Sequence, residues 1–269
     1  DGKNRNDGAE TLTLKNINFY TESTDEMTFI SCPSTYNGVN ERYSHNVTID
    51  GCTFRASTLT DKVGAISAQK TYHLTVKNCE AYNIHSLLQV QSCDNDVTVE
   101  KVKVENCFSG ISVGNTKITN ISNANIKTQK YGIRLDGENS RKVTVNVANS
   151  NIEAYIPVVA RKVITGTNVD VNLTGTTLVN NNNDMLDVVF QNNKDYEDGN
   201  VTPVAPTGNW NITGADDFIV FPRNYASTND ELKAAIAAGT DRVILADGNY
   251  ELYGLNFKAN NVTLKGVDK

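Results

Sequence analysis

Val47-Thr48-Ile49-Asp50-Gly51-Cys52-Thr53-Phe54 is followed later in the chain by Leu74-Thr75-Val76-Lys77-Asn78-Cys79-Glu80-Ala81, the same phrase in other letters. The shared pattern is apolar, any, apolar, two polar or glycine, apolar or small, any, apolar. Alternation with period two places Val47 and Ile49, or Leu74 and Val76, on one buried face of a strand. The Asp50-Gly51 or Lys77-Asn78 pair then turns the chain, because Gly and Asn tolerate the backbone of a tight corner. The phrase returns at Leu12 to Phe19, Val97 to Val104, Thr119 to Ile126, Val145 to Ile152 and Val171 to Leu178, with a worn copy near Trp210-Asn211-Ile212.

The second apolar residue of each copy makes a marker: Leu14, Ile49, Val76, Val99, Ile121, Val147 and Leu173. Successive markers differ by 35, 27, 23, 22, 26 and 26 residues. A floor near 22 with insertions above it is the signature of coils that extrude loops. A second series runs between the copies, at Ile30-Ser31-Cys32, Ile66-Ser67-Ala68, Leu88-Gln89-Val90, Ile111-Ser112-Val113, Ile133-Arg134-Leu135 and Val188-Val189-Phe190. Two interleaved series at one period imply at least two parallel sheets around a shared core. The fold class expected is all-β, a right-handed parallel β-helix, with residues 1–216 as its coils.

Composition sets the remaining bounds. Hydrophobic residues make up 39% of the 269 and Val, Ile and Thr dominate the repeats, so the chain can build a β core. No apolar run reaches the ~20 residues that cross a bilayer, so no membrane insertion is expected. The first residues, Asp1-Gly2-Lys3-Asn4, lack a basic and apolar signal segment, and any export signal was removed or lies outside this stretch. A net charge of −6 without a Lys/Arg-rich run argues against nucleic acid as partner. Cys32, Cys52, Cys79, Cys93 and Cys107 show no paired spacing, so free core thiols are expected and zinc is not. Cys52 and Cys79 hold the same repeat position and should stack inside the core. The Asn-x-Ser/Thr sequons at Asn46, Asn120, Asn172, Asn200, Asn211 and Asn261 mostly coincide with the repeat's own grammar.

The last fifty residues read differently. Thr228 and Glu231 make a capping box, Leu232, Ala235 and Ile236 line one face of a short α-helix, and Gly239 ends it. Val243-Ile244-Leu245, the Asp247-Gly248 turn, Leu255-Asn256-Phe257 and Val262-Thr263-Leu264-Lys265-Gly266 follow. This stretch resembles the opening cap and first coil of the pectate-lyase-like β-helix superfamily. Residues 217–269 are therefore expected to be a cap helix with a first-coil-like segment, arising from circular permutation, a tandem array or the start of a second solenoid. Under the permutation reading they pack below the coil that contains Leu14.

That resemblance implies several possible functions, from polysaccharide lyases and hydrolases to tailspikes and non-enzymatic surface proteins. The Gly-His-Gly and Arg-Ile-Lys motifs of the hydrolases are absent. Residues 64–91 are similar to the coils of chondroitinase-B-like and alginate lyases, yet Gln89-Val90-Gln91 stands where those enzymes carry Arg-His-Gly, so Lys70 gains no role as a base. The histidines are His45, His73 and His85, and an isolated imidazole without a positioned partner is not a catalyst. No catalytic residue is assigned.

The candidate substrate-binding residues are Gln69, Lys70, Gln91, Arg134, Asp136, Arg161 and Gln191, the outward and strand-end positions of the second series, with Tyr72, Tyr131 and Tyr155 near them in sequence. Amides, charges and aromatic rings in a row suit sugar hydroxyls and faces. Asp184, Asp187, Asp195, Glu197 and Asp198 form an acidic stretch whose oxygens would suit calcium, but the spacing is not an EF-hand loop, and no metal or other cofactor is expected. The expected function is a secreted or cell-surface bacterial protein that interacts with polysaccharide and binds it without catalysis. The alternatives are a structural stalk or adhesin module and a lyase acting on uronate-containing glycan.

Overall fold

A computed structural model describes residues 10–32, 35–36, 39–40, 45–114, 116–136, 142–161, 168–181, 188–191, 209–213, 225–226, 228–239, 242–245, 248–255 and 262–266. The marker residues of the sequence stack in register as parallel neighbours: Leu14 on Ile49, Ile49 on Val76, Val76 on Val99, Val99 on Ile121, Ile121 on Val147 and Val147 on Leu173. The worn copy closes the column, with Asn209–Thr213 paired to Asn168–Thr174. The second series stacks in the same way, Ile30 on Ile66, Leu88, Ile111 and Ile133 in turn. It also contains a coil absent from the sequence reading, Val158-Val159-Ala160, set between Ile133-Arg134-Leu135 and Val188-Val189-Phe190.

A third face lies between the two series. Asn18–Thr21, Thr53–Ala56, Glu80–Tyr82, the start of Lys103–Gly114, the start of Asn125–Asp136, Asn151–Ala154 and Thr177–Asn180 pair in parallel, so that Phe19, Phe54, Ala81, Val104, Ile126, Ile152 and Leu178 form one inward column. These are the last apolar letters of the repeated phrase. Strands such as Val63–Lys77 and Lys103–Gly114 run round a bend from one face to the next, which joins all three faces into one 18-stranded network.

The corner between the first and third faces shows why the phrase carries Asn or Gly. Asn16, Gly51, Asn78, Lys101, Asn123, Asn149 and Gly175 all have positive φ, between 50° and 66°. Each such residue from Asn16 to Asn149 donates its backbone N–H to the coil above, as in Asn16 N to Asp50 O at 2.9 Å and Gly51 N to Lys77 O at 3.0 Å. Just outside the corner, Lys15, Asp50, Lys77 and Glu100 stack with alternating charge. The Asn78 hydrogen bond, with the Lys77 and Lys15 charges, holds the Asp50 carboxyl below its usual range.

The core is dry and continuous. Ile49, Phe54, Leu74, Val76, Val99, Ile126 and Ile152 are fully buried, and Cys52 and Cys79 stack among them as expected. All five cysteines are free. Burial pushes the Cys79 thiol up to about 11 and the Cys107 thiol up to about 12, so both behave as small apolar side chains. On the outer surface Asn146 Nδ2 donates to Asn120 Oδ1 and Asn172 Nδ2 to Asn146 Oδ1, each at 2.8 Å. This amide ladder engages Asn120 and Asn172, two of the sequon asparagines.

The helix, α1 (Asn229–Ala237), forms as its capping box requires: the Thr228 hydroxyl accepts from Glu231 N at 3.2 Å, and Leu232, Ala235 and Ile236 are buried. Tyr225–Ala226, Arg242–Leu245 and Thr263–Gly266 form a separate parallel three-stranded sheet. With α1 it encloses its own small core, in which Val243 is buried and Tyr250, Leu255 and Leu264 pack at the margin. The acidic stretch from Asp184 to Asp198, at each of its five carboxylates, lies outside the described residues.

Candidate functional site

The second-series sheet exposes one side of each strand. Inward positions such as Ile66, Leu88 and Ile111 belong to the core, so the residues between them point out. Register then orders them into a column: Ser31, Ser67, Gln89, Ser112, Arg134 and Val159. A neighbouring column brings Gly114 beside Asp136, then Arg161, then Gln191.

The two halves of this face differ. At the early coils Ser31 and Gln91 are exposed and Ser67, Gln69 and Gln89 half-buried, so amide and hydroxyl groups meet solvent. At the later coils the structure closes: Ser112 is buried, and the Arg134 and Asp136 side chains are only 13% and 14% exposed. Arg134 Nε donates to Ser112 Oγ at 2.8 Å and lies 3.8 Å from Asp136 Oδ2. A guanidinium held this way is a fixed positive charge in a sheltered setting and not a proton acceptor. Of the residues expected from sequence, Gln69 and Gln91 therefore sit on the open half, and Arg134 with Asp136 on the closed half. Lys70, Arg161 and Gln191 take strand positions, and their side chains lie outside the described residues. Tyr131 is 1% exposed and presents no open ring face, Tyr72 is half-buried in a T-shaped contact with His73, and Tyr155 is exposed.

Beside the open half lies a cavity of about 270 Å³. Glu26, Asp61 and Lys62 form its charged rim. Thr28, Gly64, His85 and Gln89 also line it. His85 is half-buried and stacks on the Phe108 ring with centroids 5.6 Å apart. Burial and the charges of Arg134 and Lys130 push its pKa below the ordinary histidine value, against the smaller opposing influence of Asp61. The imidazole is thus held neutral at pH 7, and its buried Nδ1 has no hydrogen-bond partner among the described residues.

His73 is built differently. Its Nδ1 is bonded to Asp96 and its Nε2 to Asn95 Nδ2 at 3.0 Å, so both ring nitrogens are already engaged. The Asp96 partner lies on the next coil, in the position paired with His73. The described part of the chain contains no group of three or more His, Cys, Asp and Glu placed to hold a metal ion.

A model of the right handed beta helix region matches residues 5–152, more than half of the chain. The chain belongs to the right-handed β-helix family. No curated protein and no solved structure matches it. His85, Gln89, Ser112 and Gly64 were not among the expected site residues. Setting the second-series triples in register would have put Gln89 and Ser112 in the same column as Arg134. No sequence signal could have placed His85 against Asp61, because the contact joins a corner to a loop of the preceding coil.

Proposed function

We propose that this β-helix is an extracellular glycan-binding protein whose binding face is the open half of the second-series sheet, acting without catalysis. The observation that carries the reading is the open polar strip of Ser67, Gln69, Gln89 and Gln91 on adjacent coils, with Gln89 also lining the cavity. Amides and hydroxyls donate and accept, and register sets Gln89 beside Ser67 and Gln69 beside Ser92 on coils ~4.8 Å apart, a spacing that lets one extended ligand touch more than one coil. Because each amide sits on a strand and not on a loop, little ordering is needed on binding. The closed Arg134–Asp136 pair supports binding over lyase chemistry at that coil, since it ties up one of the basic groups that such chemistry would call on.

The test is retention of the purified chain on a panel of immobilised neutral and acidic polysaccharides, with and without calcium, alongside absorbance detection of unsaturated products. Retention without product is the expected result. Unsaturated product would replace the binding reading with a lyase. Neither retention nor product would favour a structural stalk.

A further inference from the structure

The cavity beside His85 exists because one side chain is missing. Thr28, Gly64 and Ser86 stack in one column of the second-series sheet. A Cβ at Gly64 would meet only Thr28 Oγ1, at an ordinary 3.6 Å, and the Gly64 backbone is not left-handed, so neither crowding nor backbone geometry demands glycine there. What glycine does at this position is leave the floor of the cavity open.

We propose that this cavity is a subsite for a single neutral, hydroxyl-rich sugar unit, with His85 Nδ1 accepting a hydrogen bond from a ring hydroxyl; the assignment rests on the glycan-binding reading above. Size sets the first limit. At about 270 Å³ the cavity lies just under the ~300–1,000 Å³ span of small-molecule pockets, room for one ring and not for a longer ligand held end to end.

Hydrogen-bonding chemistry sets the second limit. His85, which lines the cavity, has a buried Nδ1 without a hydrogen-bond partner among the described residues. Unsatisfied buried polar groups are costly to keep, and a bound hydroxyl satisfies such groups. A neutral imidazole carries its proton on one ring nitrogen, so with the proton on Nε2 the His85 Nδ1 accepts from a hydroxyl. Phe108 stacks behind the imidazole and holds its plane.

Charge sets the third limit. The rim carries two carboxylates, Glu26 and Asp61, against one ammonium, Lys62, while His85 is neutral. A hexuronate would bring a further negative charge to a rim already net negative, whereas a neutral sugar supplies hydroxyl donors that both carboxylates accept. The cations Arg134 and Lys130 act on His85 and keep it neutral, but Arg134 is occupied by Asp136 and Ser112, and Lys130 lies over the Phe108 and Tyr131 rings.

The experiment uses the full chain labelled with ¹⁵N. His85 imidazole nitrogen shifts are followed during titration with glucose, galactose and mannose, and separately with glucuronate and galacturonate. In parallel, retention on neutral and acidic polysaccharides is compared for the wild type, Gly64→Val, His85→Phe and Gln91→Ala. Neutral hexoses should move the Nδ1 signal, and Gly64→Val should abolish that movement and weaken retention about tenfold without lowering the unfolding temperature. Should Gly64→Val fail to fold, Gly64→Ala adds a smaller group to the same floor. If glycans are retained and only Gln91→Ala weakens them, with His85 unmoved, the subsite falls and the wider face stands. A response to the uronates alone overturns the neutral-sugar assignment. If no polysaccharide is retained and no sugar moves His85, the glycan reading and the subsite fall together.

Discussion

Gly51, at a corner, and Gly64, on a strand, both lack a Cβ, yet changing each to alanine should move stability in opposite directions. Gly51 sits in the corner with φ +66°, and a Cβ there would lie 2.4 Å from Asn16 Oδ1. The left-handed backbone costs an L-residue about 1–2 kcal/mol, and displacing Asn16 adds an overpacking cost of about 1–3 kcal/mol. Against this stands only the ~0.4–1 kcal/mol gained because alanine leaves the unfolded chain fewer conformations. The net is a loss of about 1–4 kcal/mol for Gly51→Ala. Gly64 has no positive φ and a nearest Cβ contact of 3.6 Å, so Gly64→Ala keeps only the gain, about 0.4–1 kcal/mol. Equilibrium urea unfolding measures both, with far-ultraviolet circular dichroism for the whole solenoid and Trp210 fluorescence for its last strand as coincident probes. Gly51→Asn separates the two costs, because Asn already occupies this corner at Asn78, Asn123 and Asn149. If Gly51→Asn remains destabilising, crowding against Asn16 is the main cause. Equal losses at Gly51 and Gly64, or no loss at Gly51, would refute the account of the corner.

Asn146→Ala should remove both bonds of the Asn120–Asn146–Asn172 ladder and cost about 1–3 kcal/mol, read from the urea midpoint, whereas Ile118→Ala, at a site 36% exposed, should cost under about 1 kcal/mol. His85 has a folded-state pKa below its ordinary 6.5, so between those two values the unfolded chain binds the proton and the folded chain does not. Thermal stability should therefore fall as pH drops below 6.5, and His85→Phe should flatten that part of the profile measured by scanning calorimetry. Cys79 and Cys107 should resist iodoacetamide in the folded protein at pH 8 and react once urea unfolds it; rapid labelling in the native state would contradict their burial.

The repeated phrase made the coils legible because its signals are local. Alternating Val and Ile decide which way a strand faces, and an Asn or Gly at the corner decides where it turns, whatever lies on the next coil. The third face was legible only in part: its inward residues Phe54, Ala81 and Val104 ended the phrase, but a strand as short as Glu80–Tyr82 does not show alternation of its own. The coil at Val158-Val159-Ala160 escaped for a related reason. Its outward position is Val159, fully buried, so apolar residues run together and period two disappears.

The binding face shows the same division. Gln69, Gln91, Arg134 and Asp136 could be selected as outward residues from alternation alone, and the capping box at Thr228 predicted α1 with its buried Leu232, Ala235 and Ile236. Which of those outward residues meet solvent, which are closed off as a pair, and where a cavity opens depend on the side chains stacked above and below, 22 or more residues away in the chain. His73 acquires Asp96 from the next coil, and His85 acquires Phe108 from the following coil and shares a cavity with Asp61 of the preceding loop. A solenoid's strand directions and corners follow from short-range periodicity and backbone preference; its surface chemistry follows from register between coils, which is a property of the stacked structure and of no single phrase.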